Sequence, residues 1–158
     1  MNSPLPQGKY VTAKRHNDLI YTSGMTPRKN GVLIFKGLAN SSTSIETYRS
    51  AVELATKNAL DSAKILTLPH ERIESILNLI VYIAAESGFT AHTQVANFAS
   101  AYLQQEIGLE GVGCRTAIGV SSLPENATVE IQLTVIAVSS QSEKSCFNFG
   151  STQNSLSK

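Results

Sequence analysis

The sequence predicts an α+β domain of two layers, in which a mixed β-sheet carries two long helices on one face. Short β-prone runs lie at both ends of the first 138 residues, two stretches of helical periodicity lie between them, and a nearly continuous apolar run separates these stretches. Because two helices cover only one face of a sheet, apolar residues on the other face require burial by association. The pattern therefore also predicts a homo-oligomer.

Length and composition set the limits of this interpretation. The chain has 158 residues, 42% of them hydrophobic, which suits one domain with a continuous core. We expect residues 1–138 to form that domain. Residues 139–158 are dominated by Ser, Gln, Asn and Lys and are predicted to be a flexible tail.

Charge and cysteine content narrow the function classes. Thirteen Lys and Arg balance twelve Asp and Glu, for a net charge of +1, so strong nucleic-acid binding is not predicted. The longest apolar run, residues 76–85, is about half the roughly 20 residues of a membrane-spanning helix. The first eight residues lack the apolar stretch of a secretory signal and two cysteines form no disulfide framework, so we expect a cytoplasmic protein.

The N-terminal half predicts a hairpin and a helix. Residues 10–14 and 19–23 are β-prone runs around a turn-forming segment, and Gly24 ends the second run. Residues 32–35 predict a third strand at an edge of the sheet. Thr43 and Glu46 have the spacing of a capping box, and the helical periodicity that follows extends to Leu66, before Pro69.

The C-terminal half predicts a long strand, a second helix and two final strands. Residues 73–85 have the composition of a strand buried on both faces, which favours the centre of the sheet. The second helix is expected from about Thr90 or Thr93 to Glu106, with Gly108 as its stop. Residues 117–120 and 129–138 alternate as strands, and the short loop at 124–126 is expected to pair them antiparallel.

This pairing would place Arg115 opposite Glu130. An arginine binds a carboxylate through two parallel hydrogen bonds, and a neighbouring glutamate can hold or deprotonate a water, so the pair predicts a site for a small acid. From the pattern alone, Arg115 is equally explained as a solvated or salt-bridged residue and Glu130 as the polar member of an alternating strand. Both readings stay open at this point.

Other reactive side chains give weaker signals. His16, His70 and His92 are isolated and lack partners at metal-ligand spacing, so no metal site is predicted. Cys114 lies beside Arg115, but no histidine is near it in sequence to activate a nucleophilic thiol.

Several motifs together resemble those of the Rid/YjgF family of reactive-intermediate, or enamine/imine, deaminases. They occur in family order over residues 5–138, and the subgroup labelled chorismate-mutase-like or endoribonuclease-like is the most similar. The motifs are Gly8-Lys9-Tyr10-Val11, Leu19-Ile20-Tyr21-Thr22-Ser23-Gly24, Val95-Ala96-Asn97, Cys114-Arg115-Thr116-Ala117-Ile118-Gly119-Val120 and Val129-Glu130-Ile131. The resemblance implies a chorismate-mutase-like fold of the bacillary type and a homotrimer with active sites in clefts between subunits.

The resemblance also implies roles for individual residues. Arg115 would bind the substrate carboxylate and Glu130 would position the attacking water. The positions that would contact the substrate are Tyr10, Ser23, Gly24, Asn97 and Ala117. The implied reaction is hydrolysis of a 2-enamine or 2-imine acid, such as 2-aminoacrylate, to a 2-oxo acid and ammonia, with no metal or organic cofactor.

Two positions depart from the pattern of many deaminating members. Gly113 stands where those members have proline and Ala117 where they have cysteine. The substrate is therefore left open. The alternatives are a pathway-specific enamine deaminase of the aminomuconate type, a ligand-sensing or chaperone-like trimer without catalysis, and an endoribonuclease.

Overall fold

The computed structural model describes residues 5–140, so residues 141–158 of the predicted tail lie outside the described part of the chain. In chain order the strands and helices are β1 (Ala13–His16), β2 (Leu19–Thr22), β3 (Arg28–Lys29), β4 (Val32–Leu33), α1 (Arg49–Lys64), β5 (Glu71–Ala84), α2 (His92–Ile107), β6 (Cys114–Val120) and β7 (Val129–Ser139). Neither helix of residues 5–140 has the length and apolar character needed to cross a membrane.

The main sheet has five strands in the order β1-β2-β7-β5-β6. β5 and β6 are parallel and the other pairs are antiparallel, so the sheet is mixed. The predicted α+β class is confirmed. The expected third edge strand is not part of this sheet, because β4 pairs only with β3 in a separate two-stranded sheet.

The predicted antiparallel pairing of β6 with β7 is wrong. β6 follows β5 through the crossover helix α2, and such a connection places the second strand parallel to the first. β7 then occupies the other side of β5 and becomes the middle strand, with β5 next to it. The loop between β6 and β7 therefore crosses the end of β5 and is not a hairpin turn.

Alternating burial defines two faces of the sheet. Along β7, Val129, Ile131 and Leu133 are buried beneath the helices, while the residues between them are half-buried on the opposite face. The end of β5 alternates in the same way, so within one chain it is not buried on both faces as its composition suggested. The face without helices, called the open face below, is the surface on which association was predicted.

The helix boundaries agree with the sequence at three of four ends. α2 ends at Gly108, whose φ of 98° is in the region that favours glycine, as predicted. The capping box at the start of α1 is wrong, because a 3-10 turn over Ile45–Tyr48 precedes the helix. The Thr43 hydroxyl donates to Asn40 Oδ1 instead, and the Glu46 carboxylate pairs with Arg49.

Candidate functional site

Arg115 lies on the edge strand β6 and extends towards helix α2. It is in register with Leu79, which is buried on the helix-covered face. Its Nη1 atom donates to Asn97 Oδ1 at 2.9 Å and to Ser100 Oγ at 2.8 Å. Asn97 and Ser100 are three residues apart and therefore adjacent on one face of α2. Ser100 was not predicted as a site residue, although this spacing from Asn97 is the signal that could have identified it.

The Arg115 guanidinium has an unusual electrostatic setting for this chain. Arg15, Arg28 and Arg49 each pair with a carboxylate. Among residues 5–140, Arg115 has no carboxylate partner, and its Nε and Nη2 atoms make no hydrogen bond. The two neutral acceptors fix one nitrogen and leave an N–H edge open, which is the geometry that binds a carboxylate through two hydrogen bonds.

Glu130 lies near the start of β7, in register with Tyr82, and its side chain is half-buried on the open face. Burial raises the pKa of this carboxyl above its ordinary value because the charged form loses solvation. A carboxylate whose pKa lies above the ordinary glutamate value is a stronger base than an exposed glutamate, which suits proton transfer in catalysis.

Gly24 leaves the space that the Glu130 carboxylate occupies. A Cβ atom on Gly24 would stand 1.8 Å from Glu130 Oε1. The adjacent Ser23 donates its hydroxyl to Val11 O at 2.6 Å, so this hydroxyl also holds the N-terminal segment in place. The structure thus brings Ser23, Gly24 and Glu130 together.

Tyr10 lies in an irregular segment before β1, so its predicted place in the first strand is wrong. Its hydroxyl accepts a hydrogen bond from Gln7 N at 3.1 Å, and 46% of the residue is exposed. Tyr10 and Gly24 both line a groove of about 910 Å³ between the N-terminal segment, the β3–β4 hairpin and α1. Gly24 therefore borders both the groove that Tyr10 lines and the Glu130 carboxylate, and α1 forms one wall of that groove.

The expectation that Arg115 and Glu130 face each other within one chain is wrong. β5 separates their strands, and Leu79 and Tyr82, their partners on β5, are three residues apart and so point to opposite faces. Two strand spacings and three residues along the strand put their Cα atoms on the order of 14 Å apart. One subunit therefore presents two half-sites, the Arg115 half-site with Asn97 and Ser100 and the Glu130 half-site with Ser23 and Gly24.

Two further residues considered in the sequence, Ala117 and Cys114, lie on opposite faces of β6. Ala117 is half-buried on the same face as Arg115, two residues along β6. Cys114 is exposed and, one residue before Arg115, points to the open face, away from the guanidinium. Within residues 5–140, no group of three or more His, Cys, Asp or Glu side chains could hold a metal ion.

The chain belongs to the family described as Endoribonuclease L-PSP, the Rid/YjgF family, whose sequence model matches residues 1–137. The Agrobacterium tumefaciens protein Atu1372 is 30% identical, with 81% of each chain covered and a TM-score of 0.74. A candidate endoribonuclease from Shewanella oneidensis is 22% identical over 86% of this chain and 90% of its own, with a TM-score of 0.78. Escherichia coli TdcF, solved with bound serine, is 17% identical over 85% and 92%, with a TM-score of 0.60.

Proposed function

We propose that the protein hydrolyses reactive 2-enamine or 2-imine acids of the 2-aminoacrylate type to 2-oxo acids and ammonia. The observation that carries the proposal is Arg115, a guanidinium held by two neutral side chains, with an open hydrogen-bonding edge and no carboxylate partner in the described part of the chain. Such a group is prepared to bind an anion. The bound serine of TdcF, a small molecule with a carboxylate, supports the same class of ligand.

The substrate supplies much of the reactivity itself. An enamine acid tautomerises to the imine, whose C=N carbon is electrophilic. Water adds to this carbon, a proton moves to the nitrogen, the C–N bond of the resulting carbinolamine breaks, and ammonia leaves as the C=O bond forms. The protein then has to orient the acid, place the water and move protons between them.

Arg115 and Glu130 have different roles in this reaction. The open edge of Arg115 fixes the carboxylate and hence the position of the adjacent imine carbon. Glu130, whose pKa burial raises, holds the water, accepts its proton during attack and returns a proton to the departing nitrogen. The Ser23-Gly24 segment lies beside Glu130, Tyr10 lines the groove that Gly24 borders, and Ala117 lies two residues from Arg115 on the same face of β6.

The two half-sites act together only if they come from different subunits. Within one subunit the guanidinium and the carboxylate are on opposite faces of the sheet. We therefore place the active site between two copies of the chain, with Arg115 from one and Glu130 from the other, in a homotrimer that buries the open face of each sheet. The half-buried apolar residues of that face support such an interface.

The activity is tested with freshly generated 2-aminoacrylate. Release of pyruvate and ammonia should exceed the spontaneous rate with the unmodified protein and return to it with Arg115→Met, whose side chain has similar length and no charge. An arginine that already has a carboxylate partner offers a matched control, and Arg49→Met should retain activity, because Arg49 pairs with Glu46 and stacks on the Phe98 ring and so presents no open edge to an anion. A protein that leaves the spontaneous rate unchanged would instead be a ligand-sensing oligomer.

The shared site is tested by subunit mixing. Arg115→Met and Glu130→Gln chains carrying different tags are co-expressed, and oligomers with both tags are isolated. Arg115→Met alone should be inactive and Glu130→Gln alone should keep only a small residual rate, whereas a mixed trimer contains one intact pair and should recover roughly a third of the activity of the unmodified trimer. Inactive mixed trimers that remain folded would contradict a site shared between subunits.

RNA cleavage is the rival function, because the family's description names an endoribonuclease. The near-neutral net charge of +1 gives little electrostatic attraction for a phosphate backbone. Cleavage of a labelled RNA that is lost with Arg115→Met, without turnover of 2-aminoacrylate, would favour this rival.

A further inference from the structure

A second polar side chain lies on the same face of β6 as Arg115. Arg115, Ala117 and Gly119 alternate along this edge strand and point to the helix-covered side. The imidazole of His92, the first residue of α2, stands over Gly119, since a Cβ atom added there would lie 2.3 Å from His92 Nε2. Arg115 and His92 therefore lie at the two ends of one strip of β6.

The His92 ring is fixed in place but its nitrogens are available. The ring packs edge-on against Phe89, with centroids 5.1 Å apart at an interplanar angle of 80°. Within residues 5–140 the His92 side chain makes no hydrogen bond, and no side-chain nitrogen or oxygen is both buried and unpartnered. Its ring nitrogens are therefore reachable from solvent and free to bind a ligand.

The strip between the two groups has room for a ligand chain. Its floor is the methyl group of Ala117 and the exposed backbone of Gly119. Alanine and glycine have the smallest side chains, so nothing on this floor obstructs a ligand. Arg115 and Gly119 are four residues apart on β6, which is about 13 Å along the strand. With a hydrogen bond of about 2.8 Å at each end, roughly 7 Å remains for the ligand, which suits an acid of about five carbons with a carboxylate at both ends.

We propose that His92 determines substrate specificity by binding a second carboxylate, so that the preferred substrates are dicarboxylic 2-imino acids. This inference rests on the proposed function, because Arg115 binds the carboxylate next to the imine. His92 then donates a hydrogen bond to the distant carboxylate, and the carbon chain lies over Ala117. Both groups belong to one subunit, so the strip is complete before association.

The test compares two stable 2-oxo acids of equal chain length by calorimetry, 2-oxoglutarate with a second carboxylate and 2-oxopentanoate without one. The unmodified protein should bind 2-oxoglutarate about tenfold more tightly. His92→Gln should abolish this preference while leaving 2-oxopentanoate binding unchanged. Gly119→Ala should also abolish the preference for 2-oxoglutarate, because the new Cβ displaces the imidazole without removing it.

His70→Gln is the matched control, since His70 is exposed at the opposite end of β5 and should leave the preference intact. Equal affinity for both acids in the unmodified protein, or a preference that persists in His92→Gln, overturns this inference alone. Failure of both acids to bind overturns the proposed function and this inference with it. Retained binding of 2-oxopentanoate in the variants also shows that they are folded.

Discussion

The Glu130 carboxylate fills the position that a side chain on Gly24 would take. A Cβ atom on Gly24 would be 1.8 Å from Oε1 and 2.9 Å from Cγ of Glu130, far inside any allowed contact. Gly24 follows β2 and Glu130 lies near the start of β7, so the contact joins two neighbouring strands of the sheet. The glycine is needed for close approach, and Gly24 is thereby linked to the proposed chemistry of Glu130.

The first prediction is that Gly24→Ala acts through Glu130. The new methyl group displaces the carboxylate from its place, and turnover should fall by at least about tenfold, with little change in binding of 2-oxo acids at Arg115. The measurement is a double-mutant cycle of turnover. Because Glu130→Gln already removes the group affected, Gly24→Ala should cost nothing further in that background, and additive losses would contradict the link.

The second prediction concerns the pH dependence of stability. The folded-state pKa of Glu130 is raised by burial, so the folded protein binds the proton more tightly than the unfolded chain. Stability should therefore be greatest below the ordinary glutamate pKa and decrease as the pH rises through the raised value. Glu130→Gln removes this decrease, and its Tm should exceed that of the unmodified protein at pH 7 but not at pH 3.

The raised pKa of Glu130 also predicts a pH dependence of turnover. If Glu130 is the base, turnover should decline on acidification through its raised pKa, at a pH above the ordinary range of a glutamate. A stability gain in Glu130→Gln that is equal at pH 3 and pH 7 would show that burial does not disfavour the charged form.

The third prediction is that Ser100 is a positioning residue for Arg115. Ser100→Ala removes one of the two acceptors that hold Nη1. Since a hydrogen bond to a charged group is worth about 1.5–3 kcal/mol, KM should rise about tenfold or more while kcat changes little. Ser41→Ala, an exposed serine in the loop before α1, is the control. A fall in kcat at constant KM would instead place Ser100 at the reacting atoms.

The sequence was sufficient for the fold class, and its motifs named Arg115, Asn97, Ser23, Gly24 and Glu130 as candidates but did not name Ser100. Alternation and helical periodicity located the helices and the long strands, because these patterns directly reflect which residues face the core. The wrong prediction that β6 and β7 pair as antiparallel neighbours has a physical cause. A short loop favours adjacent antiparallel strands locally, but the crossover through α2 commits β6 to one side of β5 and leaves the other side to β7.

The turn between β6 and β7 shows why the sequence does not predict that these two strands are separated by β5. Glu125 and Asn126 have φ values of 54° and 64°, a conformation that costs energy for residues other than glycine. Glu125 is held by Arg28, 97 residues away, at 2.7 Å. Contacts this distant in sequence carry no local signal. The bond from Arg115 to Ser100 also depends on where α2 lies over the sheet, and only the spacing of Ser100 from Asn97 indicates it in the sequence.

A further ion pair gives the last prediction, on acid stability. Arg15 of β1 donates to both carboxylate oxygens of Glu71, at 2.5 and 2.8 Å, and Glu71 also accepts from Leu68 N at 2.9 Å. The hydrogen bonds from Arg15 and then Leu68 lower the pKa of Glu71 to about 2. The interaction joins the β1–β2 hairpin to the start of β5.

A lowered folded-state pKa means that the stabilisation is fully present above the ordinary glutamate pKa and is lost as the pH falls towards about 2. Glu71→Gln should therefore lower Tm by a constant amount between pH 5 and 7, and the difference should disappear between pH 4.5 and 2. Glu46→Gln, which removes an exposed pair within one helical turn, should lower Tm far less. Thermal melts across this pH range provide the measurement, and a Tm difference that persists at pH 2 would show that the Glu71 side chain stabilises the fold through packing rather than through its charge.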